Sequence, residues 1–514
     1  MVLEGALVGV VGGGVVTLYR VFLTQAERLL RSLLALAWTG LLPLLGLVAV
    51  VALSCLVVGY LMRWEPYTQG SGIPQVDAEV AGRLDMPWWR VMTAKFVEGT
   101  LCALAGLSLG REGPSVQLGG MSGKAVSKAL RKGRGEERLL VTCGAAAGMS
   151  AAFNAPLTGV LFALEEIHKE FTAPLIISVM ASSVASDLFV SGVLGVQPVL
   201  QFVFAKDLPH AYYPYVLALG VFCGLLGALH NLGMFASSER LYARIDRHLP
   251  YGRIGVAFAL SLAMCFVAPD LLCGGDAIVE KVMQPGILPL GTVAALLLGK
   301  YLFTTLCFGS GAPGGTLFPL CVMGILCGGL FGVAAFEYLG LPTEFVTNFV
   351  VLGIAGLFSS VVRAPVTGVV LAFELTGSLD ALLSVSIVSI VSYVTANLTD
   401  VDPFYEHLLG NLLGGSGNVG GRGGLPGEKV LHEFTVGAGS RAEGKALRDI
   451  SWPKGTRIVM VSRASADVIP TGDTVLQALD ELLVIMAIES EDEAQQAVWD
   501  LCRGSITTRR TPRQ

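Results

Sequence analysis

The chain has 514 residues, 53% of them hydrophobic and only 15% charged, with a net charge of −5 and a mean hydropathy of +0.66. That balance excludes a soluble globular protein of this length, and several apolar runs exceed the roughly 20 residues needed to span a bilayer. The net charge says little by itself, and no nucleic acid polymer is expected as a partner. Glycine is unusually frequent, at 64 residues. Two readings stand side by side: close helix packing through small residues, or helices broken by loops at membrane depth. The ten cysteines are scattered, most of them inside apolar runs, and the six histidines are dispersed. They read as packing residues, so no disulfide framework, metal or cofactor is expected. The chain opens Met1-Val2-Leu3-Glu4 and runs directly into an apolar helix pattern, with no cleavable signal evident.

Membrane pattern is nearly continuous from Leu3 to about Leu409. Apolar runs fall at 3–23, 29–62, 91–109, 139–165, 173–196, 212–236, 254–272, 288–307, 316–339, 345–375 and 381–398. Several are too long or too short for one clean span, and Gly and Pro interrupt many of them. Discontinuous or strongly tilted helices are expected. Two basic loops, Lys124 to Arg138 and Arg240 to Arg253, are expected on the cytoplasmic side.

Gly70-Ser71-Gly72-Ile73-Pro74 precedes a short helix pattern. The serine hydroxyl can donate to an anion and the glycines let the backbone come close, although such a tripeptide is usually a plain turn. Next comes Gly110-Arg111-Glu112-Gly113-Pro114, between the apolar run Val97 to Leu109 and the small-residue helix pattern Ser115 to Leu130. It places a glutamate at a helix start inside a membrane-length segment. An ionisable group at that depth is expensive and marks function. Free N–H groups and the positive dipole end of a helix N-terminus suit an anion. The motif therefore implies an anion site with a carboxylate that competes for it.

Glu165 and Glu166 end a later helix pattern, about 100° apart in direction. One is expected to face a pathway and the other a different surface, with a solvated helix end as the plain alternative. Gly309 to Pro319 is a second Gly/Pro break before a helix. Tyr405, in Asp402-Pro403-Phe404-Tyr405-Glu406, ends the last membrane pattern and read alone would be an interfacial belt tyrosine. The block Ala155-Pro156-Leu157-Thr158-Gly159-Val160 recurs as Ala364-Pro365-Val366-Thr367-Gly368-Val369, an offset of 209 that also relates Gly144 to Gly353, Ser150 to Ser359 and Glu165 to Glu374. The fold class expected is an all-α polytopic membrane protein with two related, inverted repeats and broken helices, sites lying at the repeat interface.

Composition changes after Leu413. Residues 1–410 form the membrane domain, 411–429 a Gly-rich linker, 430–504 a small α+β cytoplasmic domain and 505–514 a disordered tail. In the soluble part, strands are expected at Val430 to Val436, Arg457 to Val461 and Leu482 to Ile488, and a helix at Glu491 to Cys502.

The order and spacing of Gly-Ser-Gly-Ile-Pro, Gly-Arg-Glu-Gly-Pro, Phe153-Asn154-Ala155-Pro156-Leu157, the Gly-Gly-x-x-x-Pro break and the late tyrosine resemble the voltage-gated chloride channel (CLC) family over about residues 3–410. The resemblance implies a homodimer in the plasma membrane, each subunit with its own pathway for chloride. Ser71 and Tyr405 would donate hydroxyls to a central anion, and backbone amides near Gly315, Thr316, Leu317 and Phe318 would complete the cradle. Gly70, Gly72, Ile73, Pro74, Gly110, Arg111, Gly113 and Pro114 would form the selectivity loops. Glu112 would be the external gate, occupying an anion site when deprotonated and moving a proton when protonated. Glu166 falls on the internal glutamate of the family's proton-coupled exchangers, with Glu165 as the neighbouring candidate. Exchange of chloride for protons is therefore expected, with a passive gated channel as the alternative; an intramembrane hydrolase using Ser71 or Ser310 would need a base that the sequence does not supply. One departure is Gly315-Thr316-Leu317-Phe318-Pro319, where leucine stands at the usual phenylalanine and phenylalanine follows.

Residues 430–503 resemble the C-terminal lobe of regulator-of-potassium-conductance (RCK) domains, through Gly439 to Leu447, Val461-Ser462-Arg463, Ile469-Pro470 and Asp473 to Leu476. That implies either a small regulatory ligand of nucleotide type or a passive dimerisation module. The pattern departs at Ala478-Leu479-Asp480, where glycine usually precedes the aspartate, so an altered turn is expected there.

Overall fold

The structure is a computed structural model that describes the whole chain apart from residues 170, 196–207, 249–251, 285, 377–381, 415–428, 438, 464–465, 488–490 and 503–514. Two compact units divide it, Met1–Leu413 and Gly414–Gln514. The core of the expected linker and all of the expected tail lie outside the described residues.

The first half of the membrane unit comprises α1 (Val2–Ala37), α2 (Leu41–Trp64), α3 (Ile73–Val80), α4 (Trp88–Leu104), α5 (Glu112–Ala129), α6 (Arg134–Phe153), α7 (Pro156–Phe162) and α8 (Ala173–Leu194). A π-helical turn, Ala163–His168, continues α7. The second half comprises α9 (Tyr213–Ala236), α10 (Ala243–His248), α11 (Gly252–Val267), α12 (Asp276–Met283), α13 (Leu290–Gly309), α14 (Leu317–Leu339), α15 (Val346–Val362), α16 (Pro365–Thr376), α17 (Leu382–Asn397) and α18 (Phe404–Leu412). Among the described residues, seven helical segments are long and apolar enough to cross a membrane. The protein is a multi-pass membrane protein.

Four expected runs are redrawn. The break expected between 23 and 29 does not occur, because α1 continues to Ala37 and the chain turns at Trp38 to Gly40. Gln25, Glu27 and Arg28 are ordinary helix formers, so polarity there does not end the helix. The runs 139–165 and 345–375 are each cut once. Asn154 (φ 52°) and Arg363 (φ 72°) cap α6 and α15 in the left-handed region, and a proline two residues on starts the next helix.

Glycine does both jobs that the composition allowed. A Cβ on Gly119 would strike the Gly144 carbonyl, and one on Gly324 the Gly353 carbonyl, so α5 on α6 and α14 on α15 cross backbone to backbone. Helix α8 uses serine where it meets its neighbours. Its buried face combines Leu175, Val179 and Val190 with Ser182, Ser183 and Ser186, whose hydroxyls donate to the carbonyls of Cys143 (2.8 Å), Pro156 (2.6 Å) and Ala147 (2.8 Å). Ile177, Val184 and Leu188 face outward.

The halves meet by a reciprocal cap. The Glu374 carboxylate accepts from Leu157 N (2.8 Å), Thr158 N (2.7 Å) and Thr158 Oγ1 (2.6 Å). The Glu165 carboxylate accepts from Val366 N (3.3 Å), Thr367 N (2.8 Å) and Thr367 Oγ1 (2.7 Å). Each half gives what it receives, which is a two-fold relation. Helix α5 ends on the basic loop at Lys128 and Arg131, whereas α14 ends in a stretch, 334–345, without Lys or Arg. By the positive-inside rule these ends lie on opposite sides, so the repeats are inverted.

The soluble unit is a four-stranded antiparallel sheet ordered β1 (Lys429–Thr435), β4 (Glu481–Ala487), β2 (Thr456–Arg463), β3 (Ala466–Val468), accompanied by α19 (Glu491–Cys502). Leu482, Val484 and Met486 alternate into its core with Phe434, Val461 and Val498. Three residues are too few to show a period, and β3 was not foreseen. At the departure from the family pattern, Leu479 itself takes φ 69°, and its side chain is exposed. Behind it Asp480 is buried. It accepts from Arg463 Nε and Nη2, both at 2.8 Å, and from Gln477 N at 2.7 Å. The Arg463 bonds, with the Gln477 amide, hold the Asp480 carboxyl below the usual range despite burial.

Two outcomes follow, both read by hydrogen exchange of residues 429–502 in the full chain. Leu479→Gly relieves the left-handed strain and stabilises the unit by up to about 1 kcal/mol. Because Asp480 is depressed, its contribution is complete above the ordinary aspartate value of about 4 and fades as pH falls through the lower folded value. Protection therefore drops on acidification below about pH 4, and Asp480→Asn flattens that part of the profile.

Candidate functional site: an anion junction with two glutamates

Three Gly-rich loops meet inside the membrane unit, and they satisfy one another. Gly70 N donates to Gly311 O (3.0 Å) and Gly314 N to Gly70 O (3.0 Å). Gly110 and Gly315 exchange both bonds, at 2.6 and 2.8 Å. Gly113 has no room for a side chain, because a Cβ would strike Ser71. Four helices begin at or beside this junction: α3 after Ser71 and Gly72, α5 at Glu112, α14 after Gly315 and Thr316, and α18 at Phe404, next to Tyr405. Ser71 and Thr316 are the polar neighbours of the Tyr405 hydroxyl. Helix N-termini bring free N–H groups, so the junction suits negative charge. Ile73 and Pro74 start α3 and Pro114 lies in the first turn of α5, where its missing N–H costs nothing.

Glu112 is fully buried. Its Oε2 accepts from Phe318 N at 3.1 Å, at the first turn of α14. Its Oε1 has no hydrogen-bond partner and lies 4.0 Å from Arg111 Nε. The Arg111 guanidinium sits 5.4 Å from the centre of the Phe318 ring. The Leu317-Phe318 departure thus keeps its amide, and Phe318 supplies a face for Arg111. Ser71 Oγ and Tyr405 Oη are buried and also have no hydrogen-bond partner. An unmet buried donor costs about 1–3 kcal/mol, which an anion between them would recover.

The two internal glutamates part company. Glu165 is committed to the α16 cap, whereas Glu166 is buried and has Lys169, Glu406 and Asp77 as charged neighbours. Glu166 is also a charged neighbour of Tyr405. Both glutamates lie in the π-helical turn, a distortion common at functional sites. Lys169 Nζ bridges Asp77 (3.8 Å) and Glu406 (3.5 Å). Elsewhere, Glu79, Asp85 and Glu137 bring carboxylate oxygens within 4.8 Å of one another. The Lys124 ammonium already engages Glu79 and Asp85 there.

Sequence reasoning missed two lysines. Lys95 Nζ donates to Thr68 O (2.8 Å) and Gly70 O (2.7 Å), bracing the Ser71 loop. Lys300 Nζ donates to Leu271 O (3.1 Å) and Cys273 O (2.8 Å), bracing the equivalent loop before α12. Both side chains are fully buried. The signal was present: each is a charge inside an apolar run, Lys300 alone in 288–307 and Lys95 with Glu98 in 91–109.

A polytopic helical protein with inverted repeats and a midplane junction of helix N-termini is an ion transporter in class. Residues 53–397 match the family of voltage gated chloride channels, and the chain belongs to it. Residues 431–498 match the TrkA-C domain. The H(+)/Cl(-) exchange transporter ClcA of Vibrio cholerae is 32% identical over 423 residues, covering 78% of this chain and 87% of that protein. The protein of the same name from Yersinia pseudotuberculosis is 31% identical, covering 80% and 88%. A slow cyanobacterial Cl-/H+ antiporter superposes with a TM-score of 0.73 at 26% identity, covering 80% of this chain and 97% of that one.

Removing either lysine orphans buried carbonyls. Gly70 O keeps the Gly314 amide, so Lys95→Met leaves one orphan, while Lys300→Met leaves two. We expect losses of about 1–3 kcal/mol per orphan, larger for Lys300→Met, in thermal unfolding of detergent-solubilised protein.

Proposed function

We propose that the protein exchanges chloride for protons across the plasma membrane, with the soluble unit on the cytoplasmic side. The observation that carries this reading is the Glu112 carboxylate on the Phe318 amide. There it holds a donor of the anion cradle as its own ligand, beside the unmet hydroxyls of Ser71 and Tyr405. A carboxylate and chloride compete for the same amides. Once protonated, Glu112 loses its hold on them and leaves with the proton, and chloride takes the amides. One group thus alternates the two ions. Glu166, buried and with Lys169, Asp77 and Glu406 as charged neighbours, relays protons from the other side. The names of the exchangers among its relatives support this reading.

The chain works as a homodimer, each subunit with its own pathway. Residues 411–429 tether a domain, 430–504, that senses a small nucleotide-type ligand. No cofactor or metal takes part.

The test is proton movement in proteoliposomes under an imposed chloride gradient. Uphill proton pumping that requires the protein is expected. Glu112→Gln abolishes it while chloride flux persists, and Glu166→Gln stops protons but leaves chloride moving. Tyr405→Ala weakens anion binding and degrades coupling. Chloride flux without proton movement in the unaltered protein would make it a passive channel.

A further inference from the structure

A cavity of about 40 Å³ opens next to Glu112, lined among others by Tyr19, Glu27, Arg111, Glu112, Asp276 and Phe318. It belongs to the side away from the basic loops. Glu4, near the start of α1, pairs with Lys132 of the first basic loop at 2.6 Å, and Glu27 lies about 35 Å further along the same helix at about 1.5 Å per residue. Helix α5 likewise puts Glu112 at the end opposite Lys128.

The cavity's charge is unexpected for an anion route. Three carboxylates line it against one guanidinium, Arg111. Glu27 is faced by Asp276, Arg111, Arg31 and Lys300. Asp276 opens α12 directly after Gly275, behind which sits the Lys300 side chain. Phe318 closes the floor beside Gly274. Glu112 lines this cavity; its Oε2 is held by Phe318 N, while its buried Oε1 has no hydrogen-bond partner. A carboxylate lone pair left unmet there is a proton acceptor.

Fixed carboxylates at this mouth repel chloride, so they serve the other ion. We propose that Glu27 and Asp276 form an outer proton-exchange site that loads and unloads Glu112. A protonated carboxyl of the pair donates its O–H proton through water to Glu112 Oε1, is left as a carboxylate and is reprotonated from outside; unloading is the reverse. No other reactant is consumed. Arg111 keeps the three carboxylates from excluding chloride altogether. This assignment rests on the exchange reading above.

The experiment compares the unaltered protein with Glu27→Gln/Asp276→Asn in proteoliposomes with one orientation silenced, recording initial proton and chloride fluxes as external pH is varied. The expected result is an unchanged proton-to-chloride ratio, a coupled rate lowered by about tenfold and a rate profile moved to more acidic external pH. Glu27→Asp and Asp276→Glu, which keep the acids, restore the rate. Chloride flux of the same double change in a Glu112→Gln background reports folding, and it is expected to equal or exceed that of Glu112→Gln alone. If the unaltered protein couples the ions and the double variant keeps both rate and external pH profile, the outer site is overturned while exchange stands. If the coupled rate and the Glu112→Gln-background chloride flux fall together, the pair is structural and the proposal fails. No proton movement in the unaltered protein overturns exchange itself, and the outer site with it.

Discussion

Irregular backbone at membrane depth has no water to bond, and every feature of the pathway answers that constraint. Three loops are spared from helix so that helix N-termini can meet, and their exposed N–H and C=O groups are then paired with one another: Gly70 with Gly311 and Gly314, Gly110 with Gly315. Where loop cannot satisfy loop, a buried lysine does. Lys95 and Lys300 donate their N–H groups to carbonyls. At the junction itself the Ser71 and Tyr405 hydroxyls and one oxygen of Glu112 remain unpaired.

The same economy explains the residue types. Glycine appears where backbones touch, as at Gly113 against Ser71 or Gly119 against Gly144. Serine appears where a helix meets its neighbours, as on the buried face of α8. Apolar side chains fill the core and also face outward, as Ile177, Val184 and Leu188 do on α8.

Much of this was legible in the sequence because it depends on local rules. A glutamate between glycines at a helix start, a proline after a small residue, and a block repeated at a fixed offset each carry their meaning within a few residues. The division of labour between Glu165 and Glu166 followed from helical geometry, although the π-helical turn that holds them left no signature. What was not legible depends on partners far away in sequence. Lys95 and Lys300 look like misplaced charges until the carbonyls of Thr68, Gly70, Leu271 and Cys273 are folded over them. Glu27 reads as the polar end of one span until α12 brings Asp276 beside it. The gap between the apolar runs 3–23 and 29–62 does not mark a helix end, because α1 continues to Ala37 and the chain turns at Trp38 to Gly40.

The exchange of caps between Glu165 and Glu374 has a mechanical side. Each carboxylate ties the start of a helix in the opposite half by three bonds, on either side of the two-fold. A hinge at that seam would have to break six charge-assisted bonds at once. Rocking of the two halves against each other is therefore opposed at this seam. That favours alternation carried by something small enough to move within a clamped frame, and a single side chain is small enough.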